Sequence, residues 1–274
     1  MIQLIRLSRK MKEFDYAEYN FERYNPILDE DHKYFFEPRD SPHYDKRYFH
    51  HLLSSNESKK TLYSLYESWV HFAQSRNISS WLAHGSLIGW FWGGDILPWD
   101  DDLDVQMFCG ELDRLFKENI GNISDFEFII NPHYILDRPL QNNKIDARLV
   151  DKSNGKFIDV TCLFETEDGY FSCKQPHIYS VTDILPLTAT LFRGIPSFVP
   201  RNFVPILVEE YGVRAQYSPR HTHNDGSRFH TYLFNITSHS SPSEPKEGQW
   251  RQMSEKEEFE EWKKSLPASV KWKQ

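Results

Sequence analysis

The spacing of apolar and polar positions predicts alternating short helices and strands after residue 55. From Ser58 onward, apolar residues recur every three to four positions as far as Phe72, which predicts a helix that ends near Asn77. SSWLAHG predicts a strand ending at Gly85, and SLIGWFW predicts a second helix capped by Ser86. ILPWDDDLDVQMF ends in the period-two alternation that is typical of a strand.

Further elements are expected in the middle of the chain. A helix is predicted near residues 111–119, and FEFIINP predicts a strand. IDARLVD and KFIDVTCLFE predict two strands joined by a turn at residues 152–155, where Ser-Asn-Gly supplies typical turn residues. VPILVEEYG predicts a short helix that ends at Gly212. The proline-rich residues 184–205 are expected to form a loop over the functional site.

The C-terminal part has weaker patterns. Residues 215–250 are polar without a sustained period, so irregular structure is expected there. SEKEEFEEWKKSLP predicts a surface helix with a capping box from Ser254 and Glu257, and with an apolar stripe of Phe259, Trp262 and Leu266. These elements together predict an α+β fold. We divide it into an extension that wraps the domain, a central domain and a tail with a surface helix, at residues 1–55, 56–235 and 236–274.

Composition narrows the classes of function. The 274 residues carry a net charge of −8, and 15% are aromatic, so the chain can bury a core but is a poor match for nucleic acid. The three cysteines show no metal-ligand spacing, so one disulfide is possible and none is required. The N-terminal apolar run is too short for a signal peptide, and no segment has the roughly 18 apolar residues of a membrane helix, which predicts a soluble chain. Four sequons hint at a secretory lumen: Asn56, Asn77, Asn122 and Asn235.

Acidic residues concentrate in PWDDDLDV. Because strand side chains alternate between faces, Asp102 and Asp104 should point one way while Leu103 and Val105 enter the core. Adjacent carboxylates repel each other unless a divalent cation lies between them, and Mg²⁺ and Mn²⁺ take oxygen ligands. Asp159, flanked by apolar residues on another predicted strand, would add a third carboxylate that could also act as a base. Before these acids, Gly-Ser between a strand and a helix can form a phosphate cradle from free backbone N–H groups.

The acidic run also has features of two different kinds of site. A calcium loop beginning at Asp100 would need glycine where Val105 stands, and Phe108 would occupy a ligand position. A glycosyltransferase with an Asp-x-Asp motif would usually build a larger nucleotide-binding half before the motif. Asp95 and Asp101 are interpreted as solvated surface acids, whereas the role of Asp100 stays open.

Aromatic and imidazole side chains near the motif could serve packing or binding. Most tryptophans are expected to pack in the core, and Trp99, beside the acids, is the best candidate for a sugar contact. His84 precedes the cradle and fits a phosphate contact and a hydrogen-bonded structural residue equally well. A metal site is possible but not favoured for three histidines of the polar stretch, His221, His223 and His230.

Three segments resemble the blocks of the LicD family, which lies within the nucleotidyltransferase superfamily of polymerase-beta-like folds. They are HGSLIGWFWGGDILPWDDDLDV, KIDARLVDKSNGKFIDVT and FRGIPSFVPRNFVPILVEEYG, and the similarity extends over about residues 42–215. SPHYDKRYF, GWFW and IDARLVD look most like the fungal branch, whose members are linked to mannosylphosphate addition on cell-wall glycans. Fukutin and fukutin-related protein are more distant members.

The resemblance implies a mixed sheet flanked by helices in a catalytic domain over residues 56–235, and it implies roles for individual residues. Donor phosphate would contact Gly85, Ser86, Arg148 and Lys144. Mg²⁺ or Mn²⁺ would be held by Asp102, Asp104 and Asp159. Further contacts to the substrate or to the metal ligands are expected from His84, Trp99, Asp100 and Asp146.

These patterns favour metal-dependent transfer of a sugar phosphate or phospho-alcohol, with mannose phosphate the best candidate, to a glycan hydroxyl. The donor would be a nucleotide diphosphate such as GDP-mannose or a CDP-alcohol, and a hydroxyl activated by Asp159 or a metal would attack the distal phosphorus in line. The alternatives are a non-catalytic accessory or regulator of a mannosylphosphate transferase, and a nucleotide-sugar glycosyltransferase. The family implies a secretory or Golgi location, with membrane association only through a segment that this sequence does not show.

Overall fold

In a computed structural model, the described residues form one large mixed sheet, two smaller sheets and six helices. The described residues are 33–132, 134, 144–166, 168–173, 177–224, 229–238, 241 and 243–265. The helices are α1 (Ser55–Ser75), α2 (His84–Phe91), α3 (Cys109–Lys117), α4 (Val181–Ile184), α5 (Phe203–Tyr211) and α6 (Glu255–Ser265), with a 3₁₀ helix at Val213–Gln216.

The large sheet has eight strands in a mixed arrangement. They are β1 (Ser80–Leu82), β2 (Asp104–Phe108), β3 (Asn122–Ile123), β4 (Phe126–Ile130), β5 (Ala147–Val150), β6 (Phe157–Glu165), β7 (Tyr170–Ser172) and β8 (Ile178–Ser180). The main path runs β1-β2-β6-β5-β4-β3, and β7 and β8 continue from the far end of β6. β2 and β6 run parallel with Asp104 opposite Asp159, so the strands that carry these two acids are neighbours in the sheet.

The first predicted helix is confirmed, and it supports the sheet. A capping box between Ser54 and Glu57 starts α1, and its apolar face is fully buried at Leu62, Leu65 and Trp69. The helix packs across β3, β5 and β6. At the other end of the two parallel strands, a disulfide joins Cys109, the first residue of α3, to Cys162 on β6.

Two local expectations near the acidic motif need correction. Helix α2 begins at His84, so Ser86 lies inside its first turn and does not cap it. The buried Ser86 Oγ instead accepts a hydrogen bond of 2.8 Å from the Asp104 N–H, because the helix start packs against the start of β2. Asp102 precedes β2 and lies in the loop, although Leu103 is buried as the alternation predicts.

The expected loop over the site, residues 184–205, was wrong in structure and in place. It contains a hairpin of β9 (Thr188–Phe192) and β10 (Ile195–Val199). The turn residues Arg193 and Gly194 both have positive φ, at 51° and 80°, as a tight hairpin requires. The hairpin packs on β1 and α1, where Tyr66 donates a hydrogen bond of 2.8 Å to Ser197, and it does not line the cleft that holds the acids.

The expectation of irregular structure over residues 215–250 was also wrong. These residues include a three-stranded antiparallel sheet of β11 (Arg220–Asn224), β12 (Phe229–Ile236) and β13 (Gly248–Gln252). Phe234 and Trp250 pack against Trp92, at ring-centroid distances of 5.1 and 5.8 Å. This sheet runs across the expected domain boundary at residue 235, because β12 pairs with β13.

The predicted C-terminal helix is present as α6. Its capping box is confirmed, since Ser254 and Glu257 exchange hydrogen bonds between side chain and backbone. The predicted apolar stripe is not confirmed, because Phe259 is 51% exposed, and the side chains of Trp262 and Leu266 lie outside the described residues. Among the described helices, none has the length and apolar character that crossing a membrane requires.

Candidate active site

An open cleft of about 540 Å³ lies where β2 and β6 begin. Its described lining contains five carboxylates and two histidines, and neither lysine nor arginine: the carboxylates are Asp100, Asp102, Asp104, Asp159 and Glu210. A diphosphate entering such a cleft alone would be repelled by these charges. The arrangement therefore favours cations, or anions that arrive together with cations.

Asp104 and Asp159 face each other across the parallel strands. Burial and the charges of Asp102 and Asp159 raise the pKa of Asp104 well above its usual range. Burial also raises the pKa of Asp159, and it outweighs the opposing effect of the Arg148 guanidinium. Ionising these two acids therefore costs free energy, and a bound divalent cation would remove that cost.

Asp100 and Asp102 form a second pair, in the loop that precedes β2. Burial and the neighbouring Asp102 charge raise the pKa of Asp100 to about 8. Burial alone would raise the pKa of Asp102, but hydrogen bonds from His43 and Asp100 help to hold it at about 2. One proton is therefore kept on this pair near neutral pH, where a metal ion with hard oxygen preference would displace it. The residues present fit Mg²⁺ or Mn²⁺.

The N-terminal segment, residues 33–53, adds two side chains that sequence reasoning missed. His43 Nδ1 lies 2.9 Å from Asp102 Oδ2. Glu37 accepts a hydrogen bond of 2.7 Å from Arg148, which in turn donates one of 2.6 Å to Asp159. The only available signal was SPHYDKRYF, which contains His43 but does not indicate its contact.

The two residues of the expected phosphate cradle, Gly85 and Ser86, lie in different surroundings. Gly85 lines the cleft, and a Cβ atom there would lie 2.7 Å from Asp100 Oδ2, so a side chain at this position would displace the Asp100 carboxylate. Ser86 is 2% exposed and lies behind the cleft wall, where it fixes the Asp104 backbone. The Gly85 backbone, and not the Ser86 hydroxyl, is the part of the cradle that a ligand could reach.

Three residues of the second block do not line the cleft as expected. Arg148 is 2% exposed and pairs with Asp159 and Glu37, because its strand β5 turns the side chain into the protein. Asp146 is fully buried and accepts the Cys162 N–H at 2.7 Å. Lys144 is exposed but lies outside the cleft lining. The expected phosphate contacts from Arg148 and Lys144 are thus not placed at the cleft.

The opposite wall holds a polar network that includes His84. His84 Nδ1 lies 3.0 Å from Glu210 Oε2, and the other Glu210 oxygen accepts a hydrogen bond of 2.8 Å from Tyr179. His177 joins them, and potential ligand atoms of His84, His177 and Glu210 lie within 4.8 Å of one another. Since Gln106 also lies 3.4 Å from the second ring nitrogen of His84, both nitrogens already have neighbours, which favours a structural role for this histidine.

Trp99 lines the cleft, but its ring is largely covered. Its indole stacks on His221 at 4.1 Å and meets Trp250 edge-on at 4.8 Å. The other tryptophans of the motif are buried, which confirms their role in packing. His221 and His223 stack on each other, and among the described residues they do not belong to a cluster that could hold a metal. Trp99 therefore joins the small sheet to the rim of the cleft.

Comparisons with known proteins identify a matching family model and several similar proteins. Residues 77–202 match the family model described as LicD/FKTN/FKRP, nucleotidyltransferase domain. Two similar proteins of Saccharomyces cerevisiae are Mannosyltransferase regulator 4, 31% identical over 45% of this chain, and Mannosyltransferase regulator 14, 33% identical over 47%. Ribitol 5-phosphate transferase FKRP of Homo sapiens is 22% identical over 52% of this chain.

These alignments cover only a small part of each relative, at 12%, 15% and 29% of their lengths. The matched residues contain the Gly85 turn, both strands that carry the acids, and the hairpin. They do not contain Glu210, which lines the cleft, or His43 and Glu37, which contact Asp102 and Arg148 respectively. Residues 77–202 are thus similar to the LicD nucleotidyltransferase domain, and the chain resembles the two yeast mannosyltransferase regulators and, at lower identity, human FKRP.

Proposed function

We propose that the protein is a metal-dependent phosphotransferase that modifies glycans. It would move a sugar-phosphate or phospho-alcohol group, with mannose phosphate the best candidate, from a nucleotide-diphosphate donor such as GDP-mannose or a CDP-alcohol to a glycan hydroxyl. The observation that carries the proposal is the cleft with five carboxylates and no lysine or arginine in its described lining. The name of FKRP, a ribitol 5-phosphate transferase, supports the same class of reaction.

Asp102, Asp104 and Asp159 would hold Mg²⁺ or Mn²⁺, and Asp100 stands beside them. When bound, the metal supplies charge neutralisation of the diphosphate and stabilisation of the leaving nucleotide. The parallel register of the two strands places Asp104 beside Asp159, and both side chains line the cleft. Such preorganisation is what a reaction limited by electrostatic repulsion needs.

The remaining cleft residues would bind and orient the substrates. The Gly85 backbone, which lines the cleft at the start of α2, would receive a phosphate oxygen. Both oxygens of Asp159 accept hydrogen bonds from Arg148, at 2.6 and 3.3 Å, so we assign Asp159 to metal binding only. The proton of the acceptor hydroxyl would pass to Asp100, once the bound metal has displaced the proton that this carboxyl holds in the metal-free cleft.

A transfer assay tests the proposal directly. The chain would be incubated with Mn²⁺, labelled GDP-mannose or a labelled CDP-alcohol, and a mannose oligosaccharide, and the phosphodiester product would be measured. Asp104→Asn should abolish transfer while the circular dichroism spectrum stays unchanged, and Asp101→Asn, an equal change of charge at an exposed neighbour, should retain it. Normal turnover by Asp104→Asn would contradict the proposed mechanism.

A regulator is the second candidate function, because the two yeast relatives are named mannosyltransferase regulators. In that case the chain alone would show no transfer with any donor. It would raise the activity of a separate mannosylphosphate transferase, and Asp104→Asn would raise that activity equally. Loss of the stimulation in Asp104→Asn would show that the acids are required in either role.

We also propose a secretory-lumen location, for which two observations give support. Cys109 and Cys162 form a disulfide, which persists in oxidising compartments. The asparagines of all four sequons are exposed. Both features are compatible with the Golgi location that the family resemblance implies.

A further inference from the structure

A continuous set of hydrogen bonds connects two cleft acids through the N-terminal segment. Glu37 Oε1 accepts from Arg148 Nη2 at 2.7 Å, and Arg148 Nε donates to Asp159 Oδ1 at 2.6 Å. In the other direction, Glu37 Oε2 accepts the His43 backbone N–H at 3.0 Å. The ring of the same histidine lies 2.9 Å from Asp102 Oδ2. One carboxylate, Glu37, thus links Asp102 to Asp159.

Further contacts hold the Arg148 side chain and the His43 backbone in place. The Arg148 guanidinium is buried and stacks over the Phe157 ring at 3.6 Å from its centroid. His43 has a left-handed backbone, with φ of 62°, and its carbonyl oxygen accepts from the buried Lys156 at 3.4 Å. A shift of Glu37 would therefore be transmitted to the two acids instead of being absorbed by mobile side chains.

The contacts that anchor the N-terminal segment to the domain are different from the hydrogen bonds that connect the two cleft acids. The Asp45 N–H donates a hydrogen bond of 2.7 Å to Gly155 in the turn between β5 and β6. Tyr48 donates one of 2.9 Å to Glu127 on β4, and Arg47 pairs with the same carboxylate at 3.2 Å. Unlike Glu127, Glu37 is connected to cleft acids by hydrogen bonds through Arg148 and His43.

We propose that Glu37 and His43 are positioning residues of the metal site, which set the separation and orientation of Asp102 and Asp159 for one cation. The inference rests on the proposed function, because it takes these acids to be metal ligands. Partners that hydrogen-bond to metal ligands typically change metal affinity by about 10–100-fold when they are removed. Both residues lie outside the range that the family model matches, so the site is completed by a segment beyond the family domain.

The test is a titration of the purified chain with Mn²⁺ alone, read by calorimetry or by loss of the free Mn²⁺ magnetic resonance signal. Glu37→Gln keeps the size of the side chain, but it turns one of the two acceptors into a donor. We expect Mn²⁺ affinity to fall about 10–100-fold. Glu127→Gln is the matched control, since its side chain is 26% exposed against 23% for Glu37 and it holds the same segment. It should leave Mn²⁺ affinity unchanged.

His43 offers an independent test with a rescue. His43→Ala removes the donor to Asp102 and should weaken Mn²⁺ binding. His43→Asn restores a donor at a similar position and tolerates the left-handed backbone, so it should recover most of the affinity. Normal Mn²⁺ affinity in Glu37→Gln, or an equal loss in Glu127→Gln, would overturn this inference alone. Absence of Mn²⁺ binding by the wild-type chain would overturn it together with the metal-dependent function.

Discussion

Replacing Asp100 with Asn should stabilise the metal-free protein near pH 8 while impairing its function. In the metal-free cleft, the Asp100 side chain is buried beside Asp102 and keeps its proton until about pH 8. An amide at this position resembles the protonated acid, because it can donate a hydrogen bond to Asp102 and carries no charge. The variant therefore holds the cleft in the form that the wild type adopts only at lower pH.

The sign and size of the effect follow from proton linkage. Unfolded Asp100 titrates at its ordinary value of 3.8, whereas the folded, metal-free chain releases this proton at about 8. Between these values the folded state binds more protons, so the free energy of unfolding falls as pH rises. One pKa unit corresponds to about 1.4 kcal/mol. Since solvent and neighbouring groups relax around the charge, we expect a loss of about 2 kcal/mol from pH 5 to pH 8 in the wild type, well below the full linkage limit.

Urea unfolding in the presence of EDTA, at several values between pH 5 and pH 8, measures this effect. Asp100→Asn should show a smaller decline than the wild type and should be the more stable protein at pH 8. Burial also raises the pKa values of Asp104 and Asp159, so a residual slope of the same sign is expected in the variant. The exposed neighbour Asp101 supplies the control Asp101→Asn, which should follow the wild type. A wild-type stability that is level or rises over this range would refute the proposed cost of charging the buried acids.

Three further predictions concern the framework of the site and the compartment. Arg148→Met should lower the free energy of unfolding by about 3–5 kcal/mol, because it leaves buried carboxylates unpaired. The control Arg251→Met breaks an ion pair whose two side chains are each 43% exposed, and it should lower the free energy of unfolding by less than about 1 kcal/mol in the same urea assay. Replacing both Cys109 and Cys162 with Ser should cost about 2–4 kcal/mol, since the disulfide closes a loop of 53 residues in the unfolded chain; equal urea midpoints would show that the bond does not form in solution. Expression through a eukaryotic secretory pathway should give a product whose mass falls on treatment with an N-glycosidase, and Asn77→Gln should remove one glycan from it.

The central part of the fold could be predicted from the sequence because its signals are local. Alternation around Leu103 and the apolar residues that flank Asp159 indicate buried strands, and the apolar stripe of α1 indicates a helix. The convergence of Asp104 and Asp159 then needs only that two buried strands pair in parallel. The individual elements depend on residues that are close together in the chain, whereas the pairing of the two strands does not.

The elements that were missed depend on context that the local pattern does not contain. Pro196 made the hairpin resemble a loop, although it stands in a two-stranded sheet where its missing N–H is tolerated. β12 leaves the apolar side chains of Phe229 and Ile236 exposed, and it buries Phe234 only because Trp92 and Trp250 lie opposite. Neither signal can be recognised without the packing partner.

In the site, too, the local sequence does not predict the direction of a side chain or its contacts with residues that are distant in the chain. Arg148 lies in the second family block, but only the register of β5 against β6 shows that it faces Asp159 and not the cleft. Glu37 precedes Arg148 by 111 positions, so nothing in either local sequence indicates their contact. Sequence resemblance can thus name the acids, whereas the structure is needed to show what orients them.

A thermal-unfolding titration with Mn²⁺ plus GDP-mannose, a CDP-alcohol or neither tests metal binding and donor binding in one experiment. We expect that Mn²⁺ raises the unfolding temperature of the wild type, that one donor raises it further only when Mn²⁺ is present, and that Asp104→Asn shows neither shift. A folded wild-type chain whose unfolding temperature does not respond to Mn²⁺ with any donor would contradict the metal-dependent site and would favour the regulator.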